Sequence, residues 1–137
     1  MKLAALSLLA LVAAPAGAAT IRVTVENVRP NQGKVVVCLW NEPKGFPDCD
    51  KSKPLRKVSK PASGATETFT FENVSTGTYA IGVAQDVNGN GRVDTNFVGI
   101  PKEPVAMSNG AKGRLGPPSF KSAAFPLADD RSLTIRL

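Results

Sequence analysis

Oxygen-bearing side chains recur at alternate positions in the segment QDVNGNGRVDTNFVGIP, residues 85–101. The segment matches the calcium-loop pattern D-x-[DN]-x-[DN]-G, with Gly91 at position 6, where the loop turns sharply. Positions 1, 3, 5, 7 and 9 of the pattern are Asp86, Asn88, Asn90, Arg92 and Asp94. In such a loop, side-chain oxygens and the backbone carbonyl of position 7 surround calcium. These five residues are therefore candidate calcium ligands.

The pattern departs from a full calcium loop at position 12, where Phe97 replaces the usual bidentate glutamate. Calcium would rest on two carboxylates and neutral oxygens, with Glu103 or water completing the shell. So little ligand charge predicts weak binding, with a dissociation constant of roughly 10⁻⁴ to 10⁻³ M.

A metal-free turn explains the same residues. The two Asn-Gly dipeptides of residues 88–91 favour hairpin turns, because Asn and Gly tolerate positive φ. Asp86 and Asp94 would then accept hydrogen bonds from backbone amides of the turn. A phosphate-binding loop fits less well, because Gly89 and Gly91 are not accompanied by the third glycine of that motif, by a Lys-Ser/Thr pair or by a following helix. The sequence alone leaves the calcium site and the metal-free turn open.

Catalytic machinery is sparse in this sequence. It contains no histidine and no G-x-S-x-G stretch, so we assign no catalytic residue and expect a non-enzymatic protein. The alternative is a small hydrolase that acts on an envelope glycan through Asp86, Asp94 or Glu103. That activity would require two of these carboxylates about 5 to 10 Å apart in an open cleft.

Basic residues outnumber acidic ones, 17 to 11, and two basic clusters could bind anions. Lys112 and Arg114 lie in the glycine-rich stretch 108–120, which predicts either an anion site or a solvated loop. The second cluster consists of Lys51, Lys53, Arg56, Lys57 and Lys60. It predicts either binding of an anionic envelope polymer or a strand edge protected by lysines. Nucleic acid is not expected, because no aromatic residues are interleaved with these cations.

Cys38 and Cys49 are the only cysteines. In an oxidising compartment an even count favours a disulfide, which would contribute about 3 kcal/mol by loop closure. Free thiols or a metal site are the alternatives, although zinc would need more cysteines in a chain without histidine.

Residues 1–18, MKLAALSLLALVAAPAGA, follow the plan of a secretory signal peptide: one cation, an apolar run and small residues at the end. The apolar run is shorter than the roughly 20 residues that span a bilayer, and no later segment is apolar enough to do so. We therefore expect an exported protein, periplasmic or extracellular, with no transmembrane segment in the mature chain. Residues 19–137 suit a single domain.

Alternation of apolar and polar residues predicts strands in much of the mature chain. The predicted strands are residues 21–28, 34–40, 67–74, 78–85 and 132–137, with a weaker candidate at 119–127. Residues 34–40 are almost wholly apolar, as in a strand buried on both faces. Tyr79 stands at a strand entrance, where its hydroxyl could bond back to the preceding turn. We predict an all-β fold: a single antiparallel β-sandwich of about seven strands, Ig-like or transthyretin-like, with long irregular loops at 41–65 and 102–119.

Two blocks of the chain resemble the signature of the DUF2141 family of bacterial exported proteins. They are GTYAIGVAQDVNGNGRVDTNFVGIPKEPVAMSN, residues 77–109, and GPPSFKSAAF, residues 116–125. The family's D-x-N-x-N-G-x-x-D core corresponds to residues 86–94, and its Gly-Ile-Pro turn to residues 99–101. The family usually has Gly-Phe-Ser-Asn where this chain has Ala-Met-Ser-Asn, residues 106–109.

The segment FENVSTGTYAIGV, residues 71–83, is also similar to a strand pair of transthyretin-like and carboxypeptidase-regulatory-like β-sandwiches. This similarity implies a fold and no catalytic activity. We therefore expect a binding or structural module of the cell envelope, with calcium as a candidate cofactor. Its partner would be an envelope component, and an anionic one is a candidate.

Overall fold

The computed structural model describes residues 17–137, which form an all-β sandwich of two sheets. Residues 1–16, most of the predicted signal peptide, lie outside the described residues. Ala18, the last residue of that prediction, begins the first strand. No helix within residues 17–137 is long and apolar enough to cross a membrane.

Eight strands build the two sheets. They are β1 (Ala18–Glu26), β2 (Lys34–Trp40), β3 (Arg56–Pro61), β4 (Glu67–Ser75), β5 (Gly77–Asp86), β6 (Val105–Met107), β7 (Phe125–Leu127) and β8 (Arg131–Arg136). The first sheet has the order β4-β1-β8, and the second has the order β3-β2-β5-β6 with β7 also paired to β5. The all-β sandwich is confirmed. One pairing departs from the antiparallel prediction, since β1 and β8 run parallel.

The main hydrophobic core lies between the two sheets. Alternate residues of each strand point into it, as the period-two pattern predicts. The first sheet contributes Ile21, Val23, Val25, Phe69, Phe71 and Ile135, and the second contributes Val35, Val37, Leu39, Tyr79, Ile81 and Val83. All these side chains are buried, so the two sheets are held together by a continuous apolar layer.

A second apolar cluster covers the outer face of the second sheet. Trp40 and Ala80 lie at its centre with Met107 and Ala123, and Phe46 packs edge-to-face against the Trp40 ring at 5.8 Å. β2 is therefore buried on both faces, as its apolar run predicts. The segment that covers this face is joined to β2 by the Cys38–Cys49 disulfide, with a Cα–Cα distance of 6.4 Å.

The long irregular loops contain more structure than the sequence indicates. β3 lies inside the predicted loop 41–65, and β6 and a short 3-10 turn (Ser108–Gly110) lie inside 102–119. The weaker strand prediction at 119–127 is wrong in its first half, which forms a one-turn helix, α1 (Phe120–Ala123), before β7. Ser119 caps α1 by accepting a hydrogen bond from the amide of Ser122.

Tyr79 makes the contact that its position predicts. Its hydroxyl donates to the backbone carbonyl of Ser75 at 2.6 Å, across the tight turn between β4 and β5. This bond fixes the entry of β5, the strand that carries Asp86 at its other end.

Candidate functional site

The candidate site lies where β5 leaves the sheet. Gln85 and Asp86, its last two residues, are 0% and 2% exposed. The Gln85 side chain accepts a hydrogen bond from the amide of Arg29 and donates to the carbonyls of Arg29 and Gln32, with all three distances below 3.0 Å. These bonds tie the end of β5 to the neighbouring loop, so Asp86 is held on a rigid base.

The Asp86 carboxylate is only half satisfied. Its Oδ2 accepts a hydrogen bond from the amide of Gly91 at 2.8 Å, which closes the loop over the strand end. Gly91 has φ of +86°, a conformation that suits glycine and lets this amide point back at Asp86. The other oxygen, Oδ1, is buried and receives no hydrogen bond from the described part of the chain. A buried carboxylate oxygen without a partner is costly, and a cation would remove that cost.

Asp94 faces the two asparagines of the loop. The Nδ2 of Asn88 donates to its Oδ2 at 2.5 Å, and the Nδ2 of Asn90 donates to its Oδ1 at 2.8 Å. The Arg92 guanidinium lies 3.8 Å from the same carboxylate. The hydrogen bonds from Asn90 and Asn88, helped by Arg92, hold the pKa of Asp94 below its ordinary value of 3.8.

Glu103 joins the two ends of the loop. Its Oε2 accepts a hydrogen bond from the amide of Val87 at 2.5 Å, and its Oε1 accepts one from the amide of Asp94 at 2.8 Å. The side chain is 9% exposed, and both of its oxygens bind backbone. The sequence indicates Glu103 as an optional cation ligand or as a carboxylate of the alternative hydrolase, whereas in the structure both of its oxygens hold the backbone of the loop.

Asp50 is a contributor that sequence reasoning missed. Its Oδ2 accepts a hydrogen bond from the amide of Val93 at 2.8 Å, which anchors the loop from outside. Asp50 follows Cys49 directly, so the disulfide places it. Lys57 lies 4.0 Å from its other oxygen. Forty-three residues separate Asp50 from Val93, and no local pattern in the sequence indicates their contact.

The structure therefore brings the predicted side chains of Asp86, Asn88, Asn90 and Asp94 into one hydrogen-bonded loop. Within residues 17–137, no three Asp, Glu, Cys or His side chains are grouped as metal ligands. A cation in this loop would thus depend on amide and backbone oxygens as well as on carboxylates. It would also have to displace the asparagine Nδ2 groups from Asp94, because those donors repel a cation.

Part of the basic cluster at residues 51–60 lies in β3, an edge strand of the second sheet. The prediction of a strand edge protected by lysines requires this placement. Arg56 donates to the carbonyls of Glu72 and Asn73 in β4, and Lys60 donates to the carbonyl of Thr68. These bonds link the edge of the second sheet to the edge of the first. Arg56 and Lys60 are thus engaged with the protein's own backbone.

The remaining candidates are two exposed cations and a surface groove. Lys112 and Arg114 are exposed in the segment between the 3-10 turn and α1. A surface groove of about 540 Å³ lies beside Glu103, between Arg29 and Lys102. Glu103 supplies the only carboxylate side chain of its lining, and neither Asp86 nor Asp94 contributes. The described residues of this groove do not provide the pair of carboxylates that glycoside hydrolysis requires.

Comparison with known proteins places the chain in a family. The family model described as an uncharacterized protein conserved in bacteria, DUF2141, matches residues 23–136. No curated protein and no solved structure matches the chain. The matched region runs from β1 to β8 and includes the whole candidate site. The chain therefore belongs to the DUF2141 family.

Proposed function

We propose that this protein is an exported, non-enzymatic β-sandwich module of the cell envelope that binds calcium weakly in the loop from Asp86 to Asp94. The observation that carries the proposal is the buried, unpartnered Oδ1 of Asp86, which lies on a rigid strand end at the start of an oxygen-rich loop. The Cys38–Cys49 disulfide is compatible with export.

The arrangement of the loop suits a cation that tolerates irregular coordination. Asp86 would supply Oδ1 without losing its bond to Gly91, because that bond uses Oδ2. Asn88 and Asn90 are exposed, so their amide groups can turn away from Asp94 at little packing cost, with the loss of the 3.2 Å bonds that each Oδ1 accepts from a backbone amide. Calcium accepts six to eight oxygens in variable geometry, whereas magnesium demands a near-ideal octahedron. Calcium is therefore the favoured ion.

The contacts of the carboxylates support binding over catalysis. Both oxygens of Glu103 accept backbone hydrogen bonds, and Asp86 is almost fully buried. A general acid or base must instead reach a substrate proton. A hydrolase that acts on an envelope glycan is therefore the weaker proposal. An anionic-polymer binder that uses residues 51–60 is also weaker, because Arg56 and Lys60 already donate to backbone carbonyls of the protein.

Thermal unfolding in calcium and in chelator tests the proposal. At a calcium concentration 10 to 100 times the dissociation constant, we expect the melting temperature to rise by roughly 5 to 10 °C. Asp86→Asn should remove the rise, and Asp129→Asn, at an exposed position away from the loop, should retain it. Equal melting temperatures for the unsubstituted protein in calcium and chelator would refute calcium binding.

A further inference from the structure

Beside the candidate calcium loop, the chain projects a short apolar turn into solvent. We define the apolar tip as residues 95–101, which are closed at the base by a bridge between Thr95 and Pro101. Its side chains Phe97, Val98 and Ile100 are 101%, 63% and 60% exposed. Three large apolar side chains on one turn are more than the scattered exposure normal for a soluble surface.

Four backbone amides of the apolar tip have acceptors within it, and no such acceptor is found among the described residues for the amides of Thr95 and Phe97. The Asn96 side chain accepts hydrogen bonds from the amides of Val98 and Ile100, both at 3.0 Å. The amide of Asn96 donates to the carbonyl of Ile100, and the amide of Gly99 donates to the carbonyl of Asn96. Pro101 has no amide hydrogen. Each amide that already has an acceptor lowers the desolvation penalty that the turn meets when it leaves water.

One exposed cation adjoins the apolar tip directly. Lys102 follows the tip and is exposed, whereas Arg92 lies further from it and pairs with Asp94 at 3.8 Å. The chain as a whole carries a formal charge of +6. An apolar projection beside an exposed lysine, on a basic chain, matches an anionic lipid surface, where acyl chains accept the apolar groups and headgroups attract the cations.

The shape of the apolar tip favours a lipid surface over a protein partner. A stable protein interface buries about 800 Å² per partner over a broad and complementary surface. A convex turn with three side chains does not offer such a surface, but it can enter a fluid interface that needs no matching shape. We propose that the apolar tip inserts Phe97, Val98 and Ile100 into anionic lipid bilayers, while Lys102 contacts the headgroups.

Sedimentation with lipid vesicles tests this proposal. The protein is recovered after export, so that residues 1–18 add no apolar segment, and is mixed with phosphatidylglycerol or phosphatidylcholine vesicles. Chelator is present throughout, so the outcome does not depend on calcium binding. We expect binding to the anionic vesicles and at least about tenfold weaker partitioning for Phe97→Ser. Lys102→Gln should weaken it about fivefold. Leu115→Ser, at a fully exposed leucine outside the tip, should bind like the unsubstituted protein.

Several results would overturn the proposal. They are absence of sedimentation with anionic vesicles, equal binding to both lipids, and an equal loss in Phe97→Ser and Leu115→Ser. Analytical ultracentrifugation of the same proteins tests whether the apolar tip instead binds a second copy of the chain. A dimer that Phe97→Ser dissociates would assign the apolar tip to a second copy of the chain.

Discussion

The carboxylate of Asp86 accepts a hydrogen bond from the amide of Gly91 through Oδ2, while its Oδ1 is buried without a partner from the described chain. One oxygen therefore builds the loop and the other has no partner. The bond to Gly91 could persist in the proposed calcium site, but the Nδ2 groups of Asn88 and Asn90 would have to leave Asp94. The turn positions the oxygen that the cation would use.

Substitution of Asp86 separates these two roles. In chelator, Asp86→Asn should unfold at nearly the same denaturant concentration as the unsubstituted protein, because the amide oxygen can still accept from Gly91. Asp86→Ala should lose about 1 to 2 kcal/mol, since the Gly91 amide loses its acceptor. Urea unfolding of both variants provides the measurement. Equal stability of the two variants would show that the bond to Gly91 contributes little.

Glu103 should matter for stability even without calcium. Glu103→Gln leaves one oxygen where two backbone amides are now bound, so the free energy of unfolding should fall by about 1 to 3 kcal/mol in chelator. Glu72→Gln, at an exposed position of β4, is the matched control and should change it little. A Glu103 variant as stable as its control would contradict the clamp.

Asp94 should make the loop sensitive to acid. Its folded pKa lies below the ordinary value of 3.8, so its stabilising contribution is complete above that pH and is lost as pH falls through the folded pKa. The stability difference between the unsubstituted protein and Asp94→Asn should therefore be constant near neutral pH and shrink below about pH 4. Carboxyl NMR titration gives the pKa directly. A value at or above 3.8 would contradict the hydrogen bonds from Asn88 and Asn90.

The Asp50 anchor predicts local protection from hydrogen exchange. Asp50→Ala should speed exchange of the Val93 amide, because that amide loses its acceptor, while the Gly91 amide should exchange as before. Asp129→Ala is the control, since Asp129 is exposed and lies outside the segments that build the loop. Reduction of the disulfide should act on Val93 like Asp50→Ala. Unchanged exchange at Val93 in both cases would remove Asp50 from the site.

The sequence predicts the elements whose pattern is local. The apolar run predicts a strand at residues 34–40, and β2 spans Lys34–Trp40, because β-branched apolar residues favour a strand that is buried on both faces. β6 has only three residues and exists through pairing with β5, so no periodicity could reveal it. The helix α1 begins at its Ser119 cap, inside a segment whose apolar residues predict a strand.

The candidate site also has features that the sequence predicts and features that depend on tertiary contacts. The alternate oxygens from Asp86 to Asp94 are visible in the sequence, because turn chemistry is local. The Asp50 contact depends on the disulfide, and the clamp by Glu103 depends on the return of the chain to β6. The unpartnered state of Asp86 Oδ1 depends on burial, which spacing does not encode.

Calorimetric titration of the exported protein with calcium is the most direct test of the proposed site. We predict saturable binding of one ion with a dissociation constant of roughly 10⁻⁴ to 10⁻³ M. The signal should be absent in Asp86→Asn and retained in Asp129→Asn. Folded protein that shows no saturable heat up to about 10 mM calcium, or an Asp86→Asn variant that binds equally well, would contradict the account.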